Sequence, residues 1–506
     1  MDKFILYMSS KPKVLFWINS FLTHFALAYY LQSKVNADFF GIFDVNLKFK
    51  KFVEDQNLVH FKKNWFYHDY IKKSNKKNDI DYLINFENTH NIGLWNVALN
   101  ERHFYKHNRF YRFQKDEILS VLEQELKLFE KILHESKPDY FLTFNPTLHH
   151  QKLLLDTCKA NGVKVLNACR TGINDQTALV EDGETFDLDF NLTIDDYHDK
   201  ISDKSHKFDT NDAYDAAHEI WIKGRGVSYL NKFSGLKNYL LDSDDDLIKS
   251  NFMYYGRKKF KVLKDAMWIE YKRNRNYNFL NKNSISSPSL DIPFVYFPMN
   301  IVEESSLFHY APYYTDQIEV IRHIAKSIPI DHILYVKEHA AAGIRRWNEI
   351  SYYKEIMDMP NVKLIHPKVD NEILTKHSKL LISIRGTTTL KAVKFGIPSI
   401  TFGTQPYQII PSVFVVNSLN SLPALIKKAL KFKTNPLDHQ KFKEYFDIFG
   451  YSFDNQGFEL KRNKSFFAGN GVYSNVDISE KDVENFLDVN KDMFSDVVQA
   501  HLKFIS

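Results

Sequence analysis

The chain has 506 residues, enough for two or three domains of ordinary size, which excludes a single small module. Hydrophobic residues make up 44% and charged residues 25%, as in globular proteins, which excludes long disordered or collagen-like segments. Lys and Arg (67) barely outnumber Asp and Glu (62), so we expect no nucleic-acid partner. The two cysteines, Cys158 and Cys169, cannot by themselves form a disulfide framework or a thiolate metal site, which favours a reducing, cytoplasmic setting.

Residues 14–31 are the most apolar stretch of the sequence and resemble a membrane anchor at first sight. Polar residues near the centre of the stretch are costly in a bilayer: Asn19, Ser20, Thr23 and His24. We therefore interpret the stretch as a buried strand followed by a helix that Asn19 and Ser20 can cap.

A strand-helix-strand pattern follows a long amphipathic helix predicted from residue 116 to the Lys137-Pro138 pair. A strand over 140–144, a helix over 151–160 and a strand over 163–168 form one unit of a parallel sheet. With the strand near residue 14, they predict an N-terminal Rossmann-like domain over 1–195. Residues 36–115 show no clear pattern.

Residues 196–288 predict polar helices and a linker. Nine Lys or Arg lie between Arg257 and Lys282, against only Asp265 and Glu270, and a Ser-rich stretch with Pro288 follows. We expect the basic segment to rest on anionic lipid headgroups, or else to be a solvated helix face.

A second alternation begins near residue 289 and extends to 420. Strands are predicted over 294–297, 333–336, 362–365, 380–384 and 399–402, with helices between them over 316–327, 347–357, 371–377 and 389–395. Mostly helical residues follow from 421 to 506. The sequence thus predicts an α/β protein with two Rossmann-like domains that face each other across a cleft, plus additional helices.

The strongest candidate site follows the fourth strand of the second domain, where Arg385 and Gly386 precede three threonines: Thr387, Thr388 and Thr389. Glycine permits a tight turn, and hydroxyl and N–H groups at a helix start suit an anion. Helix capping is the plainer alternative.

Two further groups in this domain suit a substrate. Lys337 and His339 end the second strand and, with Arg345 downstream, can donate to a phosphate. Glu304, in the loop after the first strand, suits a ribose or acceptor hydroxyl, although a solvated acidic loop is an equal alternative.

In the first domain, His149 follows one strand, and Arg170, Asp175, Glu181 and Asp182 follow the next. We expect all of them at the carboxyl end of the sheet. Arg170 is a substrate-binding candidate, and the other four are candidates for the catalytic acid or base, with solvated surface positions as the alternative. The absence of GxxxxGK[ST], HExxH, paired CxxC and GxSxG motifs argues against a P-loop NTPase, a zincin, a zinc ribbon and an α/β-hydrolase.

Residues 294–403 carry an ordered series of motifs. The series runs Phe297-Pro298, Glu304-Ser305, Tyr314-Thr-Asp316-Gln317, Val336-Lys337-Glu338-His339, Arg345, Pro360-Asn361-Val362, Gly386-Thr387 and Gly396-Ile-Pro398 through Gly403. It resembles the bacterial capsule polysaccharide biosynthesis family, which includes β-Kdo transferases. The resemblance implies a metal-independent GT-B glycosyltransferase without a cofactor, whose second domain binds a nucleotide sugar, often CMP-linked, while the first domain, over 1–195, is the acceptor domain. It also implies that His339 and residues 386–389 hold the donor phosphate.

Three residues depart from the family pattern: Ala340, Arg385 and Lys391. Lys391 stands where many GT-B enzymes place a glutamate on the ribose, and a lysine cannot accept those hydrogen bonds. The departure implies a different base or sugar preference, a more anionic donor, or a lost donor site.

We therefore expect a cytoplasmic glycosyltransferase, peripheral at the membrane, that moves an acidic sugar such as Kdo from a CMP-linked donor. The acceptor is a surface polysaccharide or a lipid-linked glycan. The alternatives are a CDP-alcohol (polyol phosphate) transferase, a sugar-nucleotide epimerase and a non-catalytic glycan-assembly partner.

Overall fold

Short apolar runs form the strands of two separate sheets in the computed structural model. It describes residues 11–173, 176–199, 251–302, 304–339, 348–467 and 477–505. Within these, the first domain contains residues 11–183, 251–259 and 450–505, and the second contains residues 184–199 and 260–449. The boundaries predicted after residues 195, 288 and 420 do not coincide with this division.

The strands of the first sheet are largely buried on both faces. They are β1 (Lys13–Asn19), β2 (Asp38–Asp44), β3 (Lys63–Phe66), β4 (Tyr140–Phe144), β5 (Lys164–Arg170) and β6 (Gln176–Val180). The second sheet contains β7 (Phe294–Pro298), β8 (Ile333–Lys337), β9 (Val362–Ile365), β10 (Leu380–Ser383), β11 (Ser399–Thr401) and β12 (Val413–Val415). A last short strand, β13 (Tyr451–Ser452), returns to the first sheet.

The helices cover the faces of these sheets. In the N-terminal part they are α1 (Thr23–Gln32), α2 (Leu47–Asp55), α3 (Tyr67–Tyr70), α4 (Ile80–His90), α5 (Leu94–Leu99), α6 (Lys115–Ser136) and α7 (His149–Ala160). The second domain contains α8 (Ile194–Asp199), α9 (Lys259–Asn283), α10 (Ser305–Phe308), α11 (Gln317–Ser327), α12 (Ile350–Met357), α13 (Asn371–His377), α14 (Thr388–Lys394), α15 (Leu422–Leu430) and α16 (Leu437–Phe449). The chain ends with α17 (Asn455–Phe466), α18 (Glu480–Val489) and α19 (Ser495–Ile505).

The first sheet has the strand order β13-β6-β5-β4-β1-β2-β3. Strands β1 to β5 pair in parallel, and β6 and β13 add an antiparallel edge. The parallel part, 3-2-1-4-5, has the Rossmann order. The second sheet has the order β12-β11-β10-β7-β8-β9, which is the full six-stranded Rossmann order, and all its pairings are parallel. The prediction of two Rossmann-like domains is confirmed, while the cleft between them stays a prediction.

The helix after β1 starts later than the sequence suggested. It begins at Thr23, and its N-cap is Leu22 in a left-handed conformation (φ 60°). The Asn19 Oδ1 atom instead accepts a hydrogen bond from the N–H of Phe21, at 3.0 Å. The capping role predicted for Asn19 and Ser20 is therefore wrong, because Asn19 stabilises the turn between strand and helix.

The C-terminal helices divide between the two domains. Helices α15 and α16 belong to the second domain, whereas the chain from residue 450 returns to the first. The reason is apolar burial, because Phe458, Val483, Leu487 and Val497 lie in the same core as Phe16 of β1. In the described part of the chain, every helix is too short or too polar to cross a bilayer.

Candidate functional site

The carboxyl edge of the first sheet carries a cluster of polar side chains. Asp44 is the last residue of β2, Tyr67 and His68 directly follow β3, and His149 and His150 open α7 after β4. Parallel strands end at the same edge of a sheet, so these residues lie close together although they are distant in sequence. The edge corresponds to the usual ligand-binding edge of open α/β sheets.

His149 lies between two carboxylates in the interior of this cluster. Its Nδ1 atom is 2.8 Å from Oε2 of Glu101, and its Nε2 atom is 3.0 Å from Oε1 of Glu125. The backbone N–H of His149 also donates to Glu101, at 2.7 Å, and the Tyr67 hydroxyl donates to Glu125. All four side chains are buried.

The two carboxylates fix the charge of this histidine. Burial opposes the positive charge, but Glu125 and Glu101 together raise the pKa of His149 to about 10. Burial also opposes the charge of Glu101, yet its hydrogen bond and ion pair with His149 lower its pKa well below the usual range. His149 is therefore an imidazolium at neutral pH, without a lone pair for the base role predicted from the sequence.

Glu125, His149 and His150 form a group that can hold a metal ion, because their ligand atoms all lie within 4.8 Å of one another. Both nitrogens of His149, however, are already within hydrogen-bond distance of carboxylates. Two carboxylates around one imidazolium account for this geometry without an ion.

A second group at the same edge is partly accessible. The Nε2 atom of His68 is 2.8 Å from Oδ1 of Asp44, and the Nε2 atom of His150 is 3.4 Å from Oδ2 of the same carboxylate. Burial alone would raise the pKa of Asp44, but hydrogen bonds and charges of His150 and His68 lower it well below the usual range. The side chains of His68 and Asp44 retain 14% and 10% exposure, whereas His150 has none, so the Asp44–His68 pair is the part that solvent reaches.

The predicted placement of Glu181 and Asp182 at the carboxyl edge is wrong. Strand β6 runs antiparallel to β5, with Thr177 opposite Arg170 and Val180 opposite Asn167, so β6 ends towards the amino ends of the parallel strands. The Asp182 carboxylate is accordingly 3.9 Å from Nζ of Lys159, near the far end of α7. The spacing of polar residues after β5 could not reveal this reversal.

Arg170, by contrast, ends β5 at the carboxyl edge and is exposed. Its positive charge acts on the carboxyl group of Glu459 in α17. Asp175 lies outside the described residues, as does Arg345 in the second domain.

In the second domain, the turn after β10 is held by an amide network. The Asn300 side chain donates to the carbonyl oxygen of Arg385, and the Gln317 side chain bonds both backbone groups of Asn300, each at 2.8 Å. Asn300 follows β7, so the network ties together loops from two neighbouring strands. The Arg385 guanidinium lies over the Tyr310 ring, 4.4 Å from its centre.

Gln405 holds the same turn from the opposite side. Its Oε1 atom accepts from the N–H of Gly386 at 3.2 Å, and its Nε2 atom is 3.4 Å from the hydroxyl of Thr389. Gly386 has a φ of +151°, which side chains rarely tolerate. Thr389 is buried against Ser383, whereas Gly386, Thr387 and Thr388 are partly exposed.

At the end of β8, neighbouring residues have opposite environments. Glu338 is buried and accepts from the Tyr353 hydroxyl at 2.7 Å, the Asn348 amide at 2.9 Å and the N–H of His339 at 2.9 Å. Burial raises the pKa of Glu338, and these three hydrogen bonds partly oppose the shift. His339, the predicted phosphate ligand, is partly exposed. The buried carboxylate of Glu338 holds the backbone of His339 through its N–H group.

Lys337 points into the interior rather than to solvent. It contacts Oδ1 of Asn371, which also accepts from the Tyr296 hydroxyl at 2.8 Å. Burial lowers the pKa of Lys337 to about 8, and the charge of Asp370 partly opposes the shift. Its substrate-binding role stays a prediction.

Glu304, the N-cap residue of α10, is partly exposed, and Lys391 is exposed on α14.

Several residues of these networks were missed in the sequence. Asp44, His68 and Glu101 come from residues 36–115, where no pattern was legible, and Gln405 is distant from the turn that it supports. The one available signal was Asp44 itself, a charged residue at the end of the apolar run FFGIF.

No protein-family model matches this sequence, and neither does any curated protein sequence. Among solved structures, the chain is similar to the UDP-GlcNAc 2-epimerase of Methanocaldococcus jannaschii, at 14% identity and a TM-score of 0.24, over 86% of this chain and 99% of that one. It is also similar to KpsC of Thermosulfurimonas dismutans, a β-Kdo 2,7 transferase, at 11% identity and a TM-score of 0.30, over 74% and 97% of the two chains.

The S. aureus MnaA–UDP co-structure is similar at 11% identity and a TM-score of 0.27, over 92% of this chain and all (100%) of that one. All these TM-scores lie below 0.5, so the fold assignment rests on the sheet topology described above.

Proposed function

We propose that this chain is a GT-B-type glycosyltransferase that moves a sugar from a nucleotide-sugar donor to a surface polysaccharide or lipid-linked glycan. The observation that carries the proposal is the turn over Arg385–Thr389. It lies at the carboxyl end of a central parallel strand and is braced from both sides by Asn300 and Gln405. Such a preorganised turn at this edge is typical of nucleotide sites in doubly wound domains.

The donor phosphates would contact the exposed part of this turn. Gly386, Thr387 and Thr388 are partly exposed, and Arg385 supplies a positive charge beside them. His339 follows β8, which lies two strands away from β10 in the sheet, and it can donate a second hydrogen bond there. Preorganised donors of this kind stabilise the negative charge that develops on a leaving nucleotide.

An acidic sugar on a CMP-linked donor is the favoured substrate. Arg385 and exposed Lys391 place two positive charges within seven positions around the turn, and a carboxylated sugar adds a negative charge to the donor. A polyol phosphate on CDP would use the same charges and is the alternative.

The acceptor hydroxyl needs a base, and the first domain offers one. In the transfer, the acceptor oxygen bonds to the anomeric carbon, the bond from that carbon to the phosphate oxygen breaks, and the hydroxyl proton moves to the base. The Asp44–His68 pair is our candidate for this role, because its side chains retain 10–14% exposure and His149 is protonated; the Nε2 atom of His68 also lies 3.0 Å from the Asn251 amide, which would have to move to admit the hydroxyl. Asp175 stays a second candidate from the sequence.

Donor turnover tests the proposal. The purified chain is incubated with CMP-Kdo, CDP-glycerol and UDP-GlcNAc, with and without a capsular or lipid-linked acceptor, and released nucleotide is separated by chromatography. With CMP-Kdo as the only donor, we expect CMP release that increases with acceptor and falls at least about a hundredfold in His68→Ala, as for loss of a general base.

Exposed His134→Ala, in α6 of the same domain, is the matched control and should retain full activity. Conversion of UDP-GlcNAc to its 2-epimer, or no turnover of any donor, would contradict the proposal.

We place the enzyme in the cytoplasm, where nucleotide sugars are made.

A further inference from the structure

Helix α9 differs sharply between its two halves. Its buried residues, Lys272, Asn276 and Leu280, all lie in the C-terminal half, one helical turn apart. Lys272 pairs with Glu349, the Asn276 amide donates to the carbonyl of Asn348 at 2.6 Å, and Leu280 is part of the core of the second domain. The C-terminal half is therefore anchored on its domain.

The N-terminal half carries large apolar side chains that remain in solvent. Phe260, Met267, Trp268 and Tyr271 are 77%, 68%, 52% and 57% exposed, respectively. We call these four residues the apolar stripe. At about 100° per residue, their spacing places them within an arc of about 100° on one side of the helix. The Trp268 and Tyr271 rings contact each other, with centroids 5.4 Å apart, so these two side chains form one apolar surface.

Positive charge lies within and next to this stripe. Exposed Lys264 lies one turn from both Phe260 and Trp268 on the same side, and Lys258 is exposed just before the helix. The segment from Arg257 to Lys282 has nine basic residues against two acidic ones. A surface that covers both the stripe and the lysines must therefore combine apolar groups with negative charge.

We propose that the N-terminal half of α9 is a membrane-binding helix that lies flat on a bilayer containing anionic lipid. Trp, Tyr, Phe and Met enter the headgroup boundary, while the lysine stems extend past it to reach lipid phosphates. The half-helix is about 20 Å long at 1.5 Å per residue, which suits interfacial binding rather than crossing. The inference does not depend on the donor nucleotide, since it concerns a surface outside the turn after β10.

Vesicle flotation with the full chain tests this inference. We expect binding to vesicles of phosphatidylglycerol mixed with phosphatidylcholine, weak binding to phosphatidylcholine alone, and weakening by salt. Phe260→Ser with Trp268→Ser should reduce the vesicle affinity about tenfold or more, and Lys264→Glu should reduce it severalfold. Because all three side chains are exposed, the melting temperatures of these variants should match the unmodified chain.

Matched controls distinguish binding through the apolar stripe from nonspecific adsorption to vesicles. Ile330→Ser removes a fully exposed apolar residue (106%) elsewhere in the second domain, and Lys376→Glu reverses an exposed charge on α13; neither should change flotation. The tryptophan emission of the unmodified chain, but not of Trp268→Phe, should shift to the blue when vesicles are added.

Three results would each overturn the proposal. They are equal flotation of the stripe variants and the unmodified chain, equal binding of the unmodified chain to neutral and to anionic vesicles, and a tryptophan emission that vesicles do not shift. So would a dimer in analytical ultracentrifugation that the stripe variants abolish, because a second copy would then be the occupant of the stripe.

Discussion

The Nδ1 atom of His149 lies 2.8 Å from the Oε2 atom of Glu101, and both side chains are buried at the carboxyl edge of the first sheet. With Glu125 on the other nitrogen, this contact turns a histidine that the sequence marks as a candidate base into a fixed positive charge. The same edge keeps Asp44 and His68 partly accessible. One edge thus combines a buried ion network with a pair of side chains that retain some exposure to solvent.

The His149 network should contribute strongly to stability. We expect His149→Gln to lower the free energy of unfolding by about 3–5 kcal/mol, because it leaves two buried carboxylates without a counter-charge. His134→Gln, an exposed histidine on α6, should change it by less than about 0.5 kcal/mol. Urea unfolding measures both, and equal stability of the two variants would contradict the network.

The contact between His149 and its carboxylates also predicts a loss of stability at alkaline pH. The pKa of His149 is about 10 in the folded chain against an ordinary 6.5, so folding favours the protonated form. Its contribution is complete below pH 6.5 and is lost as the pH rises through about 10. Melting curves at increasing pH should therefore fall more steeply for the unmodified chain than for His149→Gln. Parallel curves would refute this assignment of the charge.

Two other buried histidines predict a loss of stability in acid. Burial lowers the pKa of His24 to about 3, with the charge of His501 as a further cause, and burial lowers the pKa of His501 to about 4. The unfolded chain takes up protons below pH 6.5 that the folded chain refuses, so stability falls as the pH drops towards 4. In that window, each histidine should lower the free energy of unfolding by roughly 1.4 kcal/mol for every unit by which the pH falls.

His501→Leu should therefore reduce the slope of unfolding free energy against pH between 6.5 and 5, with His134→Leu as the exposed control. An unchanged slope in His501→Leu would show that His501 is not neutral in the folded chain.

Metal removal should leave the chain unchanged. Metal independence is what the resemblance to the capsule polysaccharide family implies, and the carboxylates around His149 satisfy that residue without an ion. We expect elemental analysis to find no stoichiometric metal and chelation to leave the melting temperature within error. One metal per chain, lost in His150→Ala and Glu125→Gln, would show that Glu125, His149 and His150 are ligands.

Glu338 should affect nucleotide binding by positioning the neighbouring His339. Its carboxylate accepts from Tyr353, Asn348 and the N–H of His339, so Glu338→Ala leaves buried donors unpaired. We expect a loss of about 1–3 kcal/mol of stability and weaker nucleotide binding. Glu338→Gln keeps one acceptor oxygen and should restore most of the binding, and exposed Glu372→Ala is the control. Full nucleotide affinity in a folded Glu338→Ala would exclude a positioning role.

The sequence predicted the second domain far better than the first. Its strands are short, apolar and separated by helices of clear period, so β9 and α13 were predicted with their observed bounds. The short β12 was missed because no α-helix separates it from β11, so the alternation that marks the other strands is absent there. In the first domain, β2 and β3 lie among many aromatic and lysine residues, which hid Asp44 and His68.

The candidate site was predictable only where its residues are close together in the sequence. Gly386 and the threonines after it lie within one turn, so the sequence revealed them. The braces of that turn, Asn300 and Gln405, depend on sheet order, which brings together loops that are distant in sequence. The reversal of β6 likewise moved Glu181 and Asp182 from the expected edge, since strand direction is not encoded in spacing.

Nucleotide binding tests the central claim most directly. Melting temperatures are measured with CMP, CDP, UDP, GDP and dTDP for the unmodified chain, for His339→Ala, and for His377→Ala as an exposed control on α13 of the same domain. We predict that CMP stabilises the unmodified chain and His377→Ala, since a ligand that binds only the folded state raises its melting temperature. We also predict that His339→Ala loses most of this effect. Stabilisation by no nucleotide, or equal stabilisation of His339→Ala, would contradict a donor site at the carboxyl edge of the second sheet.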